Sequence, residues 1–201
     1  MIHFINTVKS EPYKHLQKYY LQALEADQKN IEGLCISSFN KTLNEVNSRY
    51  VNLKYINEDR WFFYTNYNSP KAFEFESHNQ VSGVIFWNNI NIQIRIKGLI
   101  QKADDTESDN HFSNRSIEKN ALAISSSQSK KISSYKKIVS NYKNTLKKIN
   151  EEDLIDRPES WGGYFLVPYY FEFWKGEKNR LNQRVEYIIK NGVWKRSFLQ
   201  P

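Results

Sequence analysis

Apolar residues recur at two intervals along this chain, and the interval separates its helices from its strands. After Pro12, residues Tyr13, Leu16, Tyr20, Ala23 and Leu24 fall three and four apart, which predicts a helix over 12–26. Short runs rich in β-formers predict strands at 33–39, 49–55 and 61–65. Ser69-Pro70 has the form of an N-cap with proline in the first turn, opening a short helix to Ser77. Residues 81–87 and 89–100 read as a strand pair. In the second strand Ile90, Ile92, Ile94 and Ile96 alternate with Asn91, Gln93, Arg95 and Lys97, so one face is apolar and the other polar.

The helical interval returns over 106–124, and the polar run 125–129 reads as a loop. Ser133 or Ser134 caps a further helix, in which Tyr135, Ile138, Val139, Tyr142, Leu146 and Ile149 share a face. The stretch 150–160 is acidic and carries a proline, which marks a connection. Strands follow at 164–167, 169–174, 184–189 and 193–199, the last two joined by the hairpin turn Asn191-Gly192. Just before them, the adjacent glycines 162 and 163 permit a tight turn. Many strands with few helices, and no regular strand–helix alternation, predict an α+β fold: an antiparallel β-barrel with peripheral helices, in one domain over 1–201.

Composition narrows the partners. Aromatic residues make up 15% of the 201, so the core is expected to be built on rings. No run approaches the roughly 20 apolar residues of a membrane span. The first residues lack a charged leader backed by an apolar segment, and the single cysteine, Cys35, sits in a predicted buried strand; a reducing cytoplasm fits both. Four scattered histidines and one cysteine offer no metal-ligand spacing. Net charge is +7, with much of the excess in the lysines of 130–148. The plain reading is a solvated helix face, since no nucleic-acid-binding pattern accompanies it.

Several residues suit an anionic, flat ligand. The Ser69 helix start favours a phosphate, and Lys71 adds a full charge there. Arg49 and Lys54 bracket a strand whose end could open on a barrel mouth. Gln93 can both donate and accept at a ring edge. Trp174 offers a flat apolar wall, and Arg180 and Arg184 supply guanidiniums.

Taken together, Ser48–Lys54, Phe63–Ala72, Gln93–Gly98, Gln128-Ser129, Trp161-Gly-Gly, Glu172–Trp174 and Arg180-Leu-Asn-Gln-Arg184 resemble the pyridoxine/pyridoxamine 5′-phosphate oxidase family. The likeness runs over nearly the whole chain. It implies a split β-barrel that forms a homodimer with FMN at the subunit interface, residues 157–201 carrying the dimerisation and substrate signature. It implies FMN contacts from Arg49, Lys54, Tyr64, Thr65, Ser69, Lys71 and Gln93 of one subunit, and from Gln128, Ser129, Trp174 and Arg184 of the other. Substrate contacts would come from Lys54, His111, Arg115, Lys119, Arg180 and Asn182, with Arg180 orienting the substrate and stabilising its anion. The implied activity is oxidation of pyridoxamine or pyridoxine 5′-phosphate, with O2 as electron acceptor.

The sequence departs from the family pattern at the substrate side. Pro70 replaces an arginine, His111 a tyrosine and Lys119 a serine, and Asn182-Gln183 stands for a His-Asp pair. Asn182 hydrogen-bonds but cannot titrate near neutrality. These changes keep open a second reading, an FMN oxidase acting on another substrate such as a phenazine precursor. A flavin-binding protein without turnover and a basic nucleic-acid-binding domain are the remaining readings.

Overall fold

Residues 1–152 and 156–201 are described by a computed structural model of the chain. Among them a sheet of ten strands curls around an aromatic core, with five helices on its outside. The first helix, α1 (Glu11–Glu25), lays Tyr13, Leu16, Tyr20 and Ala23 on that core. Complete burial of Leu16 alone stabilises the fold by about 1.5–3 kcal/mol.

Strands β2 (Gly33–Asn40) and β3 (Glu45–Asn52) form a hairpin, and β4 (Tyr55–Asn57) pairs with β5 (Arg60–Asn66). The predicted strand over 49–55 is therefore two. The chain bends at Leu53-Lys54, where the Lys54 N–H donates to the Phe62 carbonyl. That bend carries β3 into β4 and curls the sheet towards closure. A short strand that periodicity missed, β1 (His3–Ile5), adds to β4 in parallel, so the sheet is not wholly antiparallel. Three residues are too few for a period of two to register.

After α2 (Pro70–Ser77) come β6 (Gln80–Trp87) and β7 (Ile92–Lys102). The predicted strand start at Asn89 is instead a 3-10 turn over Asn88–Ile90, ended by Asn91 in the left-handed region at φ 52°. Asparagine tolerates that region better than most residues. Ile92, Ile94 and Ile96 are buried, and Gln93 and Arg95 lie on the opposite face. The helix predicted over 106–124 is two, α3 (Asp105–Ser113) and α4 (Ile117–Ser125). Ser116 starts the second in extended conformation, and the Asn120 amide donates to the Phe112 carbonyl across the elbow.

Helix α5 (Tyr135–Glu152) begins where the Ser134 hydroxyl accepts the Lys137 N–H at 3.3 Å. Its lysines, like Lys130 and Lys131 before it, are exposed. Helix α5 runs on to Glu152, past the predicted start of the connection 150–160, and residues 153–155 of that connection lie outside the described residues. No helix among the described residues is long and apolar enough to cross a membrane.

One long strand, β8 (Trp161–Lys175), replaces two predicted short ones. Its first half pairs with β5, its second with β9 (Gln183–Lys190), and β7 runs along its length. Pro168 sits inside it because the register slips between Lys97 and Gly98, leaving Tyr169 unopposed as a bulge. Gly98 is required there, since a Cβ would lie 2.6 Å from the Val167 carbonyl oxygen. The predicted turn at Gly162-Gly163 is also strand. Glycine serves close approach instead, a Cβ on Gly162 falling 2.1 Å from the Tyr67 hydroxyl. Strand β10 (Val193–Leu199) completes the hairpin with β9, and Cys35 on β2 is only partly buried.

Candidate functional site

A cleft of about 500 Å³ opens where the end of β5 meets the start of α2, the α3–α4 elbow and the loop after α4. Each neighbouring element delivers one cation. Lys54 comes from the β3–β4 bend, Lys71 from the first turn of α2, Arg115 from the elbow and Lys119 from α4. No aspartate or glutamate among the described residues lines it. Four like charges gathered on one lining favour an anion there.

Lys71 is buried, and its ammonium donates to the Ser69 hydroxyl at 3.0 Å and to Gln128 Oε1 at 3.2 Å. Burial, reinforced by nearby Arg49, lowers its pKa to about 8. Ser69 is an N-cap by backbone geometry, but its side chain serves Lys71 and makes no capping bond. Gln128 Oε1 also accepts from the Thr65 hydroxyl at 3.0 Å and from the Asn66 N–H at 3.3 Å. Three donors converge on one neutral oxygen, an arrangement that an anionic oxygen satisfies better.

At the other end, the His111 ring lies flat on Tyr64, centroids 3.7 Å apart and planes within 5°, and Tyr64 stacks in turn near Trp161. Arg115 places its guanidinium 4.4 Å over the Trp161 ring. Its Nη2 donates to the Lys119 carbonyl at 3.3 Å, whereas its Nη1 is buried without a partner among the described residues. A buried, charged donor left unpaired costs about 1–3 kcal/mol or more. Burial and the three cations Arg115, Lys54 and Lys119 hold His111 down to about 4, leaving it neutral at pH 7. Behind the stack, the Tyr64 hydroxyl meets that of Tyr55 at 2.5 Å, and Tyr55 donates to Glu107 of α3. Arg157 fixes α3 in place by pairing with Asp105 at 2.8 Å and Asp109 at 2.5 Å while donating to the Trp161 carbonyl.

The remaining sequence-predicted residues lie elsewhere. Arg49 does not line the cleft: it pairs with Glu74 of α2 at 2.7 Å and donates to Ser38, tying α2 to the β2–β3 hairpin. Gln93, Trp174 and Arg184 form one cross-strand row over β7, β8 and β9, away from the cleft lining. Arg184 is braced by Glu172, with Nε at 2.9 Å and Nη2 at 2.8 Å, and its Nη1 donates to the Gln200 carbonyl. Glu172 also holds Arg95 at 2.7 Å. Arg180 stands exposed at φ 63° in the β8–β9 connection, where Asn182 Oδ1 accepts the Glu177 N–H at 3.1 Å. Ser129 is exposed at φ 67° beside Gln128. Gln128, which the resemblance places on the opposite subunit, reaches Lys71 and Thr65 of its own chain.

Sequence reasoning gave no site role to Trp161, Tyr55, Glu107, Glu74 or Glu172. Only Trp161 and Glu172 carried a signal, each lying inside a quoted motif; the others act through contacts distant in sequence.

Residues 29–145 match the family model described as pyridoxamine 5′-phosphate oxidase, and residues 161–201 match the pyridoxine 5′-phosphate oxidase C-terminal dimerisation region. Pyridoxine/pyridoxamine 5′-phosphate oxidase 2 of Hydrogenovibrio crunogenus is 30% identical over 98% of this chain and 91% of its own length. The chloroplastic pyridoxine/pyridoxamine 5′-phosphate oxidase 1 of Arabidopsis thaliana is 29% identical over 96% of this chain, which spans 37% of that longer protein. Among solved structures, PhzG from Burkholderia lata 383 in complex with tetrahydrophenazine-1-carboxylic acid superposes with a TM-score of 0.89 at 26% identity, covering 96% of this chain and 93% of its own. Both segments of the sequence, the curled sheet and the cationic cleft thus lead to one assignment: the chain belongs to the pyridoxamine 5′-phosphate oxidase family of FMN-dependent oxidoreductases.

Proposed function

We propose that this chain works as a homodimer that binds FMN and oxidises pyridoxamine or pyridoxine 5′-phosphate to pyridoxal 5′-phosphate. The observation that carries this reading is the gathering of Lys54, Lys71, Arg115 and Lys119 in one cleft that no acid among the described residues lines. A phosphate monoester supplies both the charge and the acceptor oxygens that this arrangement lacks.

The residues present fit FMN. Lys71, with the Ser69 helix start and Thr65, suits a terminal phosphate, and the three donors on Gln128 Oε1 are free to turn to anionic oxygens. When bound there, FMN would supply the hydride acceptor for the substrate carbon and the route by which electrons reach O2. Lys54, Arg115 and Lys119 hold the substrate's phosphate, with neutral His111 as a stacking surface. The row Gln93–Trp174–Arg184 lies outside this cleft, so the partner subunit's copy of Trp174 and Arg184 completes the cofactor site. Arg180 and Asn182 cover the substrate from the same β8–β9 connection. Catalysis rests on holding reactants together in a fixed orientation, and no side chain of the cleft is needed as a strong base.

A second reading keeps FMN and replaces the substrate by an aromatic carboxylic acid. The smaller pocket adjoining the cleft favours it, because Leu122 and Ala123 extend the lining beyond Lys119 with apolar surface. Peroxide release from flavin-loaded protein tests both. Turnover of pyridoxamine 5′-phosphate is expected. Inertness to both vitamin phosphates with turnover of aromatic acids would establish the second reading, and a colourless protein that ignores added FMN would defeat both.

A further inference from the structure

His111 occupies an unusual position in this cleft. Its ring is clamped flat on Tyr64 from β5, with Tyr55 of β4 and Trp161 of β8 further out, each at a centroid distance of 6.3 Å. The charged groups around it are Lys54 from the β3–β4 bend, Arg115 from the elbow and Lys119 from α4. Glu107, one turn earlier on α3, is engaged by the Tyr55 hydroxyl, and the Tyr64 hydroxyl is engaged by Tyr55 as well. No hydrogen bond to the imidazole nitrogens is present among the described residues. The ring is therefore a titratable group with no fixed partner, kept neutral mainly by burial and by three cations that await a counter-charge.

We propose that His111 takes up a proton when a doubly charged anion enters the cleft, so that the cleft selects dianionic phosphate monoesters over monocarboxylates. The proposal rests on reading the cleft as the substrate's anion site. Three cations facing a dianion keep one excess positive charge, and facing a carboxylate they keep two. The imidazolium is thus much less opposed beside the dianion, and once formed it adds a donor to it. Opposite charge within about 4–6 Å favours a charged group by one to three pH units, enough to bring His111 into the range between pH 5 and 7. Lys71, lowered to about 8, is already charged there, and burial lowers Lys54 as well. This mechanism gives a role to the histidine that stands where the family has tyrosine.

The test uses FMN-loaded protein and two probes whose own charge is constant from pH 5.5 to 7.5: sulfate as dianion and benzoate as monoanion. Calorimetric titration in two buffers of different ionisation enthalpy reads the protons taken up directly. For sulfate, uptake is expected at pH 6, together with an affinity rising about tenfold from pH 7.5 to 5.5. Benzoate is expected to show little of either. His111→Phe keeps a stacking ring and His111→Gln keeps a neutral donor, and both are expected to abolish the uptake and flatten the slope. Should neither variant fold, the contrast between sulfate and benzoate in the unmodified protein decides alone. Sulfate binding without proton uptake, or uptake that persists in the variants, would overturn the role of His111. Flavin-loaded protein that binds no sulfate would overturn the anion-site reading beneath it.

Discussion

Arg115 and Lys71 carry the same charge in the same cleft but differ in what protects it. Arg115 stays protonated at any working pH, so it presents a permanent positive charge to the cleft. Replacing it by glutamine should raise the KM for a phosphate-bearing substrate by about 10–100-fold while kcat changes less, since a hydrogen bond to a charged group is worth about 1.5–3 kcal/mol. Steady-state peroxide assays would show it. Lys71 is different because its pKa is lowered to about 8. It is charged below that value and loses its charge as pH rises through it. FMN affinity should therefore hold up to about pH 7.5, where the cofactor's own phosphate is fully ionised, and fall by up to about tenfold per pH unit above 8. Flavin fluorescence titrations would follow this, and Lys71→Met should bind weakly with no such break. The residue types were readable in the sequence: Lys54 and Lys71 lie in the motifs, and the resemblance implied Arg115. Their environments were not, because burial and the spacing of charges belong to the folded chain.

At the scale of elements, carboxylates decide where the arginines point. Glu74 on α2 holds Arg49, and Glu172 on β8 holds both Arg95 and Arg184. Glu172→Ala should deprive two guanidiniums of their shared ion-pair partner. The loss should be about 1–3 kcal/mol, less than for a fully dry pair because both arginines touch solvent. Thermal denaturation would report it, and a matching drop in FMN affinity would connect the brace to cofactor binding through Arg184. The β7–β8 bulge is a second such device. Gly98→Ala would press a methyl group against the Val167 carbonyl, a strain costing about 1–3 kcal/mol and lowering Tm by several degrees. Helix α1 and the isoleucine strand were legible because their periods are long and clean. The break between α3 and α4 and the joining of two strands into β8 were not. The first is fixed by contacts across the elbow such as Asn120 to Phe112, the second by a bulge that accommodates Pro168.

For the molecule as a whole, the decisive fact is the separation of two clusters that the family resemblance brings to one cofactor. Lys71, Thr65 and Gln128 share a cleft, whereas Gln93, Trp174 and Arg184 share a row across β7–β9 outside it. If the partner subunit supplies the second cluster, Lys71→Met and Arg184→Ala chains should each bind FMN poorly alone. Mixed and reassociated, they should regain about a quarter of the sites, because half of the random dimers are hybrids and each hybrid holds one intact site. Absorbance of retained flavin after gel filtration measures this, and no recovery would argue that each chain builds its site unaided. Taken by itself, the sequence determined the helix and strand content, the aromatic core, the excess of positive charge and the motifs of the family, because all of these depend on residue type and local interval. The tertiary structure alone decided that four cations from four elements share one cleft, that Arg49 and Arg184 are held by buried glutamates, and that His111 lies neutral against Tyr64. Those outcomes depend on distances between residues far apart in the chain and on their removal from water, which only folding sets.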